Sequence, residues 1–187
     1  MEKIAASETN KFVGISALKV VKGGFGAGFT LADGTALVEI PVAEDGGFTY
    51  TGGEPSIEHY KIHGLTADWT SRTTPGETSV NLFVPSITKS LLELFGFTVT
   101  TASSASGIGA NVTGFIFAET SLAVELGLVA FNDEGNKAFA IKGAKLSATI
   151  VFDEANSAKP IGISLTGSTS AGGDADAMGI FEIAQGE

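Results

Sequence analysis

The side chains best suited to acid–base or metal chemistry are His59 and His63, the only two histidines in the sequence. On a helix, this four-residue spacing would direct both imidazoles to one metal ion. Here Ile57 and Ile62 give the segment the character of a strand, in which four residues extend over about 13 Å. The nearby carboxylate of Glu58 would point to the opposite face of such a strand. We therefore predict no metal site, and ordinary strand or rim positions for both histidines.

Two pairs of carboxylates, Asp174 with Asp176 and Glu44 with Asp45, lie in glycine-rich stretches. Carboxylate oxygens are the ligands that calcium prefers, and two carboxylates that a fold brings together can hydrolyse glycosides. Acidic pairs in such stretches are more typical of solvated loops. We predict solvated loop charges at both places, with calcium binding as the alternative.

Motifs for a nucleophile or a phosphate cradle are missing from the chain. The sequence has no cysteine, which excludes a thiolate nucleophile, a disulfide and a Cys-zinc site. Gly162–Gly167 misses the GxSxG spacing of a serine nucleophile by one residue. Gly23–Gly28 lacks the spacing of both phosphate-binding glycine motifs, and we interpret it as a turn or a bulge. The sequence therefore predicts neither an enzyme nor a bound cofactor.

Sugar binding by stacked aromatic rings is an alternative that the residue types leave open. Trp69, Tyr50 and Tyr60 are the only Trp and Tyr residues, and the 13 phenylalanines mostly occupy positions that burial explains. Trp69 alternates with Leu65 and Ala67. We therefore predict a core position for Trp69 rather than a platform for a ligand.

The composition indicates a chain that shares its surface with partners. Charged residues make up 17% of the 187 residues, against roughly 25% in ordinary soluble domains. This shortage suggests that partner subunits hide part of the surface. The 21 acidic and 11 basic residues give a net charge of −10, which repels phosphates and argues against specific nucleic-acid binding. The length fits a single domain, residues 1–187.

The N-terminal residues and the apolar runs predict neither a signal peptide nor a membrane helix. Met1–Ala6 carries mixed charge and leads into polar Ser7–Asn10, without the apolar segment of a signal peptide. No apolar run approaches the roughly 20 residues that a membrane helix needs. We expect no membrane partner.

Most of the chain alternates apolar and polar residues with a period of two, which predicts strands with one buried face. The clearest cases share this pattern over five or more residues: Pro160–Ser168, Lys145–Phe152, Leu122–Phe131, Val80–Val84, Val13–Ala17 and Met178–Ala184.

Turn residues separate these runs. Asp33-Gly34, between Phe29–Ala32 and Thr35–Ile40, predicts a tight hairpin. Pro75-Gly76 and Asn132–Asn136 predict further turns. Glycine is the commonest of the loop residues, with 25 copies, and it collects in three stretches that we interpret as bends and loops: Gly23–Gly28, Gly46–Gly53 and Ser104–Gly109.

One segment, Ser86–Phe95, departs from the strand pattern. Ile87, Leu91 and Leu94 recur at helical spacing, Ser86 is a suitable N-cap, and Gly96 suits the position after the helix. We predict a short amphipathic helix with these three residues buried. The predicted fold is mainly β, a β-sandwich or barrel with this one short helix.

Two stretches carry a resemblance to a known family. Thr74–Gly96 places a polar turn, an amphipathic strand, a proline with a Ser/Thr cap and a short Leu-rich helix in the order found in phage tail tube proteins. Gly143–Phe152, Ile161–Gly167 and Ile180–Ile183, with the connection Gly172–Asp176, resemble the closing strands of that family. The type VI secretion tube protein shares this fold.

The resemblance implies a self-assembling structural subunit. Strands from six copies would close the inner barrel of a hexameric ring, and stacked rings would form a hollow tail through which DNA passes without specific binding. The implied partners are other copies of the chain and other tail proteins, and the implied location is the virion tail, assembled in the bacterial cytoplasm. Six copies would carry a charge of about −60 per ring, so we expect a negatively lined conduit whose wall repels DNA.

The stretch from Gly46 to Gly53 is the candidate for the contact between rings. Two Gly-Gly pairs bracket the apolar side chains of a short segment, which a free loop would leave exposed. The resemblance adds that a long loop in this half of the chain commonly contacts the next ring. We predict a mobile hairpin or loop that orders against a neighbouring ring, and its candidate assembly residues are Gly46, Gly47, Phe48, Thr49, Tyr50, Gly52 and Gly53. The alternative function is a β-sandwich adhesion, pilus-like or carbohydrate-binding module.

Overall fold

Antiparallel strands account for most of the regular structure. A computed structural model describes residues 14–42, 47–64, 70–102, 107–109, 112–152, 161–170, 174 and 176–183. Within these ranges 52% of the residues are in strands and 6% are helical, which confirms the predicted mainly-β fold with one short helix.

The regular elements of the described ranges are twelve strands and one α-helix. In chain order they are β1 Ala17–Lys22, β2 Val38–Ile40, β3 Phe48–Thr51, β4 Ser56–Tyr60, β5 Thr70–Thr74, β6 Ser79–Val84, α1 Lys89–Leu94, β7 Val99–Ala102, β8 Gly114–Phe117, β9 Val124–Phe131, β10 Lys137–Phe152, β11 Ile161–Thr169 and β12 Met178–Glu182.

Eight of these strands form one sheet in the order β2-β1-β9-β10-β11-β6-β3, with β12 paired beside β10. The central strand β10 changes partner along its length. Its first part, Lys137–Ile141, pairs with β12, and its second part, Ala144–Phe152, pairs with β11. The register with β9 shifts between Ile141 and Ala144, which marks a bulge, and bulges bend the strand that contains them.

The main core lies on one face of this sheet and under the helix. Alternate residues of the strands point into it, as period-two sequences predict. The fully buried members with the largest side chains are Leu18, Ile40, Leu92, Phe95, Leu126, Leu128, Ile141, Leu146, Ile163 and Leu165. The ring of Tyr50 in β3 lies 5.8 Å from the ring of Phe139 in β10, although two strands separate them in the sheet. The sheet therefore curves back over its own core in a barrel-like manner.

A second, smaller core covers part of the opposite face. Val129, Ala138 and Ala140 are buried there beneath Phe25 and Phe29. As a result, β9 is buried on both faces from Leu126 to Ala130, whereas its alternating sequence predicts one buried face. The prediction missed this because the covering residues come from a distant loop.

The helix is shorter than predicted and rotated. It spans Lys89–Leu94 rather than Ser86–Phe95, because Thr88 is still extended and is the N-cap, with its hydroxyl accepting a hydrogen bond from the Leu91 N–H at 3.3 Å. Gly96 follows with φ of +84°, as its predicted position requires. Leu92 and Phe95 are fully buried, whereas the three residues predicted to be buried, Ile87, Leu91 and Leu94, are only half-buried.

The predicted Asp33-Gly34 hairpin is wrong, although the turn itself is present. The Thr35 N–H donates to the Ala32 carbonyl at 3.0 Å, and Gly34 has φ of +78°. The residues before the turn form no strand, since Ala27–Phe29 is a single 3-10 turn. The residues after it pair elsewhere, because β2 pairs with β1.

The predicted turn at Asn132–Asn136 is confirmed and joins β9 to β10. Asn132 is 4% exposed, and its side-chain oxygen accepts from the Lys137 N–H at 2.8 Å while its amide donates to Asn136 at 2.8 Å. Gly135 supplies the positive φ, +67°. Strands are also confirmed at the predicted C-terminal positions, as β10, β11 and β12.

At the N-terminus the strand begins later than predicted, at Ala17, and Val13 lies outside the described residues.

Candidate assembly surfaces

The predicted loop at Gly46–Gly53 is largely a strand. Gly46 lies outside the described residues, and Phe48–Thr51 form β3, which pairs with β6. The Phe48 and Tyr50 side chains pack against the main core, while Thr49 and Thr51 are exposed. The expectation of a free loop is therefore wrong, because β6 offers a matching partner strand that local sequence does not reveal. Deleting Gly47–Gly52 would remove part of the sheet, and the role of this segment in assembly stays a prediction.

The glycines that follow β3 serve close packing. A Cβ added at Gly53 would lie 2.2 Å from the backbone carbonyl carbon of Gly76. The two chain segments therefore need residues without side chains where they meet. Gly53 and Gly76 thus bring the chain after β3 against the chain before β6. The predicted turn at Pro75-Gly76 lies in this connection, between β5 and β6.

Strand β3 is an edge strand with hydrogen-bonding groups on its outer side. It pairs with β6 alone in the described sheet. The Phe83 N–H donates to the Gly47 carbonyl at 2.7 Å, which makes Gly47 and Phe83 a hydrogen-bonded pair. Because such pairs alternate along antiparallel strands, the N–H groups of Phe48 and Tyr50 point away from β6. Strand β2 forms the other end of the sheet and pairs with β1 alone.

A polar face extends across β10, β11, β6 and β3 on the side away from the main core. Cross-strand register aligns Ser147 with Thr166, Thr166 with Asn81, and Asn81 with Thr49, in one row over four strands. Neighbouring rows add further hydroxyl groups. We define the hydroxyl face as Thr49, Thr51, Ser79, Asn81, Lys145, Ser147, Thr149, Ser164, Thr166 and Ser168. Lys145 is the one charged residue in this set.

The two-stranded ribbon of β4 and β5 is exposed on both faces along its whole length. Ile57 is 55% exposed and Ile62, just beyond β4, is 45% exposed. A ribbon of two strands is marginally stable by itself, and apolar side chains on it contribute little without a surface to cover them. The sequence does indicate this exposure. Thr70–Thr74 is a contiguous polar run, and the strand that pairs with it has no consistent apolar face.

Both histidines lie on or next to this ribbon. His59 is in β4 and His63 is in the turn after it, and both are exposed, as predicted for strand and rim positions. The Tyr60 hydroxyl donates to the Glu58 carboxylate at 2.8 Å, and this hydrogen bond raises the pKa of Tyr60. Among the residues described, no group of three His, Asp or Glu side chains could hold a metal ion.

The carboxylates of Asp174 and Asp176 are paired, contrary to the prediction of solvated loop charges. Both accept hydrogen bonds from the Lys142 ammonium, at 2.9 Å and 2.8 Å, and Asp176 also accepts from the Gly28 N–H at 2.9 Å. An ammonium therefore occupies the place between the carboxylates that a calcium ion would need. We call this set of four residues the Lys142 clasp. Sequence could not reveal it, because Lys142 is 32 and 34 residues from its partners.

The hydrogen bonds of the clasp shift the pKa values of Asp176 and Lys142. The Lys142 ammonium and the Gly28 N–H hold the pKa of Asp176 below its ordinary value. The Asp176 and Asp174 carboxylates raise the pKa of Lys142. The clasp joins the bulge in β10, the turn before β2 and the chain before β12, so it ties three distant parts of the fold together.

The glycine-rich turn at Gly23–Gly28 is anchored beside this clasp. The Gly23 N–H donates to the Glu125 carbonyl and the Phe25 N–H to the Lys142 carbonyl, each at 2.8 Å. The small cavity here, about 250 Å³, is lined by the acidic side chains of Glu125 and Asp174 as well as by Lys142. Carboxylates repel phosphate, so this surface agrees with the interpretation of Gly23–Gly28 as a turn.

Several sequence-based predictions lie outside the described residues. They concern the carboxylates Glu44 and Asp45 and the Trp69 position with its neighbours Leu65 and Ala67. Their predicted roles therefore stay predictions.

Searches of protein-family models and of curated proteins found no match to this chain. In the part of the chain that the structure describes, no helix is long and apolar enough to cross a membrane. The tail tube resemblance of Thr74–Gly96 and of the C-terminal strands consequently stays a prediction from the sequence.

Proposed function

We propose that this protein is a structural subunit of a phage-like tail tube, which assembles into stacked hexameric rings around a conduit for DNA. The observation that carries the proposal is that the end strands of the sheet, β2 and β3, each pair with one strand only within the described residues. An edge strand is a template for pairing with another chain. Pairing the β3 end of one copy with the opposite end of the next is a head-to-tail contact, and such contacts generate rings or filaments.

The hydroxyl face suits the wall of a conduit. The hydroxyl face includes residues of the edge strand β3. A ring closed through sheet edges would therefore place the hydroxyl faces of all its copies on one common surface. Serine, threonine and asparagine side chains stay hydrated without attracting phosphates, and Lys145 is the one cation among them. The negative field at the wall would then come from the ring as a whole, with a charge of about −60 from six copies of −10. DNA would pass such a wall without specific binding.

The exposed ribbons suit contacts between rings. Besides Ile57 and Ile62 on the β4–β5 ribbon, the β7–β8 ribbon exposes Ile116 to 64%. Stacking would cover these apolar side chains and hold the ribbons against a neighbour. The contact between rings is then assigned to the β4–β5 and β7–β8 ribbons rather than to the Gly46–Gly53 segment, whose strand β3 forms the contact within a ring.

A pair of substitutions at Tyr50 tests the edge-strand contact. Tyr50→Ala removes the ring that packs on Phe139 but keeps the outward N–H, whereas Tyr50→Pro removes the ring and the N–H together. We expect concentrated Tyr50→Ala protein to form rings or tubes in negative-stain microscopy, and Tyr50→Pro protein to stay unassembled. Thermal melts of both variants provide the control for folding.

Wild-type protein that forms neither rings nor tubes at any accessible concentration would contradict the proposed function. Equal assembly of Tyr50→Pro and Tyr50→Ala would instead show that the β3 edge is not the contact between copies.

A further inference from the structure

The β4–β5 ribbon is the outer part of one long hairpin. Where β3 pairs with β6, Thr51 is opposite Ser79. Where β4 pairs with β5, Ser56 is opposite Thr74. The second pair is five residues from the first on both sides of the hairpin, so all four strands share one register. The ribbon therefore continues the β3–β6 pair beyond the sheet.

The interruption between the two parts of this hairpin has the composition of a hinge. The shared register places Pro55 opposite Pro75, and a proline has no N–H to donate to the ladder. Beside them, Gly53 and Gly76 are in close backbone contact and have no side chains that could brace the segment. The ribbon beyond this point pairs with no other strand of the described residues.

Strand β12 has an open edge on the side of the sheet from which the ribbon leaves. Strands β11 and β12 pair end to end with the same edge of β10, and β6 pairs with β11. Within the described sheet no strand pairs with the outer side of β12. The Ile183 N–H donates to the Asn136 carbonyl at 2.8 Å, and such bonds alternate along antiparallel strands. Met178, Ile180 and Glu182 consequently direct their N–H and C=O groups outward.

This edge lacks the features that protect sheet edges from pairing. Strand β12 has five residues, and two of them, Met178 and Ile180, are 43% and 53% exposed. Its one charged residue, Glu182, is at its end. The edge strand β2, by comparison, has three residues, and its Glu39 is paired with Lys19 at 3.6 Å. Long, apolar and exposed edges are the ones that take up another strand.

Along the sheet, the ribbon is level with β12. Two rows of paired residues across β9, β10 and the outer strands define the scale: Leu126, Ala144 and Thr169 form the first, and Leu128, Ile141 and Met178 form the second. The rows are two residues of β9 apart. Thr78 lies beside Thr169, with their hydroxyl oxygens 2.7 Å apart. Two residues from Thr78 toward β5, Gly76 is therefore level with Met178.

The same alignment matches the backbone groups of the two edges. Continued along both strands, it places Thr74 beside Ile180 and Arg72 beside Glu182. The hydrogen-bonded pair that begins the β3–β6 ladder sets the alternation along the whole hairpin, so Thr74 and Arg72 direct their N–H and C=O groups away from β4. The outward groups of β5 are thus level with the outward groups of β12.

Charge favours this alignment as well. Glu58 is opposite Arg72 in the ribbon, and Lys137 is opposite Glu182 in the sheet. Pairing β5 with β12 would join these two pairs into one row in which negative and positive side chains alternate over four strands. Opposite charges directly across from each other stabilise a sheet. A shift of two residues would place Arg72, the only arginine of the chain, beside Ile180 instead.

We propose that the β4–β5 ribbon closes on the open edge of β12, with β5 as its antiparallel neighbour, and that the free subunit alternates between this closed position and the open one described above. Closing satisfies backbone groups on both edges, and a third strand stabilises a ribbon that is marginal by itself. A closed ribbon cannot contact a neighbouring ring. Closure therefore keeps free subunits from stacking, a consequence that rests on the proposed function.

An engineered disulfide tests the closed position, because the chain has no cysteine of its own. Thr74→Cys combined with Ile180→Cys places the two thiols at opposite positions, within the Cα separation that a disulfide allows. Under mild oxidation of dilute protein we expect an intramolecular disulfide, measured by intact mass after maleimide labelling. The matched control is Thr73→Cys combined with Ile180→Cys. It should link at least tenfold more slowly, because the Thr73 side chain points to the other face of the ribbon.

Hydrogen exchange tests closure without a disulfide. In the closed position the Ile180 N–H is bonded to β5, so in the wild-type protein it should exchange at least tenfold more slowly than in an unstructured peptide. We expect Arg72→Glu, which places a like charge beside Glu182, to raise this exchange rate at least threefold. The control Arg72→Lys keeps the charge and should stay within twofold of wild type. Thermal melts establish that both variants fold.

Assembly measures the consequence of closure. We expect the oxidised Thr74→Cys, Ile180→Cys protein to need an at least tenfold higher concentration for half-assembly in sedimentation velocity, and reduction of the disulfide to restore assembly. If the oxidised protein assembles as readily as the reduced protein, closure does not control stacking. Wild-type protein that never assembles would contradict the tube, whereas the disulfide and exchange measurements would still decide whether the ribbon closes.

Three outcomes overturn the closed position itself. Disulfides that form mainly between two molecules would show that β12 pairs with another copy. Equal linking rates for the two cysteine pairs would show that the ribbon does not adopt this register. An Ile180 N–H that exchanges in the wild-type protein as fast as in an unstructured peptide would show that the ribbon stays open.

Discussion

Lys142 shows how a single residue connects parts of this fold that are distant in sequence. Its side chain is 17% exposed, and its ammonium lies within 2.9 Å of a carboxylate oxygen of both Asp174 and Asp176. Asp176, one of its partners, also accepts from the N–H of Gly28, next to Phe29, whose φ of +62° is rare for a bulky residue. An ion pair at a protein surface contributes little to stability by itself. We therefore interpret the clasp as a device that positions the Gly23–Gly28 turn and the chain before β12.

The clasp predicts a specific dependence of stability on pH. The pKa of Asp176 is lower in the folded protein than its ordinary value of 3.8. Its contribution is therefore complete above about pH 4 and is lost as the pH falls through the lower folded value. We expect Asp176→Asn to lower the melting temperature by a few degrees at pH 7, and this difference from wild type to shrink toward pH 2.

Asp33→Asn is the control for this experiment, since Asp33 is exposed in a turn away from the clasp. A difference between Asp176→Asn and wild type that is constant from pH 7 to pH 2 would show that the carboxylate charge contributes nothing. For Lys142 the pH dependence has the opposite direction, because its pKa in the folded protein is raised above 10.5. Its contribution to stability is complete below that value and is lost as the pH rises beyond it.

Among the elements, α1 shows where a helical pattern predicts a helix but not its buried face. The helix has fewer than two full turns, so its orientation depends on the sheet beneath it rather than on its own periodicity. Leu92 is fully buried in the main core, and Phe95, just after the helix, is buried beside it. Leu91, in contrast, lies at the margin and is half-buried.

We expect Leu92→Ala to lower the free energy of unfolding by about 2–5 kcal/mol, because it removes a fully buried side chain and leaves a cavity. Leu91→Ala, at a position that the sequence pattern predicted to be buried, should have a clearly smaller effect. Denaturant unfolding of the two variants side by side measures the difference. Equal losses, or a larger loss for Leu91→Ala, would mean that the helix is oriented differently.

At the scale of the whole molecule, charge is distributed so that its extended polar surface is nearly neutral. The hydroxyl face contains ten residues, of which Lys145 alone is charged. The chain has 21 acidic and 11 basic residues, so its excess of acidic side chains lies elsewhere on the chain. A wall with so few cations, within a ring of negative charge, would hold no phosphates, whereas a wall with several unpaired cations would stall the DNA.

We expect purified subunits or rings to bind duplex DNA no more tightly than in the millimolar range, at any salt concentration. The comparison variant carries Thr49→Lys, Ser147→Lys and Thr166→Lys together, which places three cations in one row of the hydroxyl face. This variant should bind DNA measurably at low salt, with a log–log salt slope of up to about three. Sub-micromolar, salt-sensitive binding by the wild-type protein would contradict the conduit mechanism, whatever the assembly.

Local sequence patterns were sufficient for the class of fold and for several of its elements. Period-two alternation correctly predicted β6, β10, β11 and β12. The turn at Asn132–Asn136 was predicted from its own five residues, which are types that favour turns. The strand position of His59 followed from the strand character of its neighbours. These features depend on residues close in the chain, and for that reason the sequence alone determined them.

The pairing of strands and the surfaces it creates depend on residues far apart in the chain, which local patterns do not encode. Phe48–Thr51 reads as a loop by itself, and it becomes β3 because β6 offers it a register that packs Phe48 and Tyr50 against the main core. The Lys142 clasp and the second core beneath Phe25 and Phe29 arise in the same way, from segments that meet only when the sheet has formed. Strand register results from many weak cross-strand contacts acting together, so it emerged only from the tertiary structure.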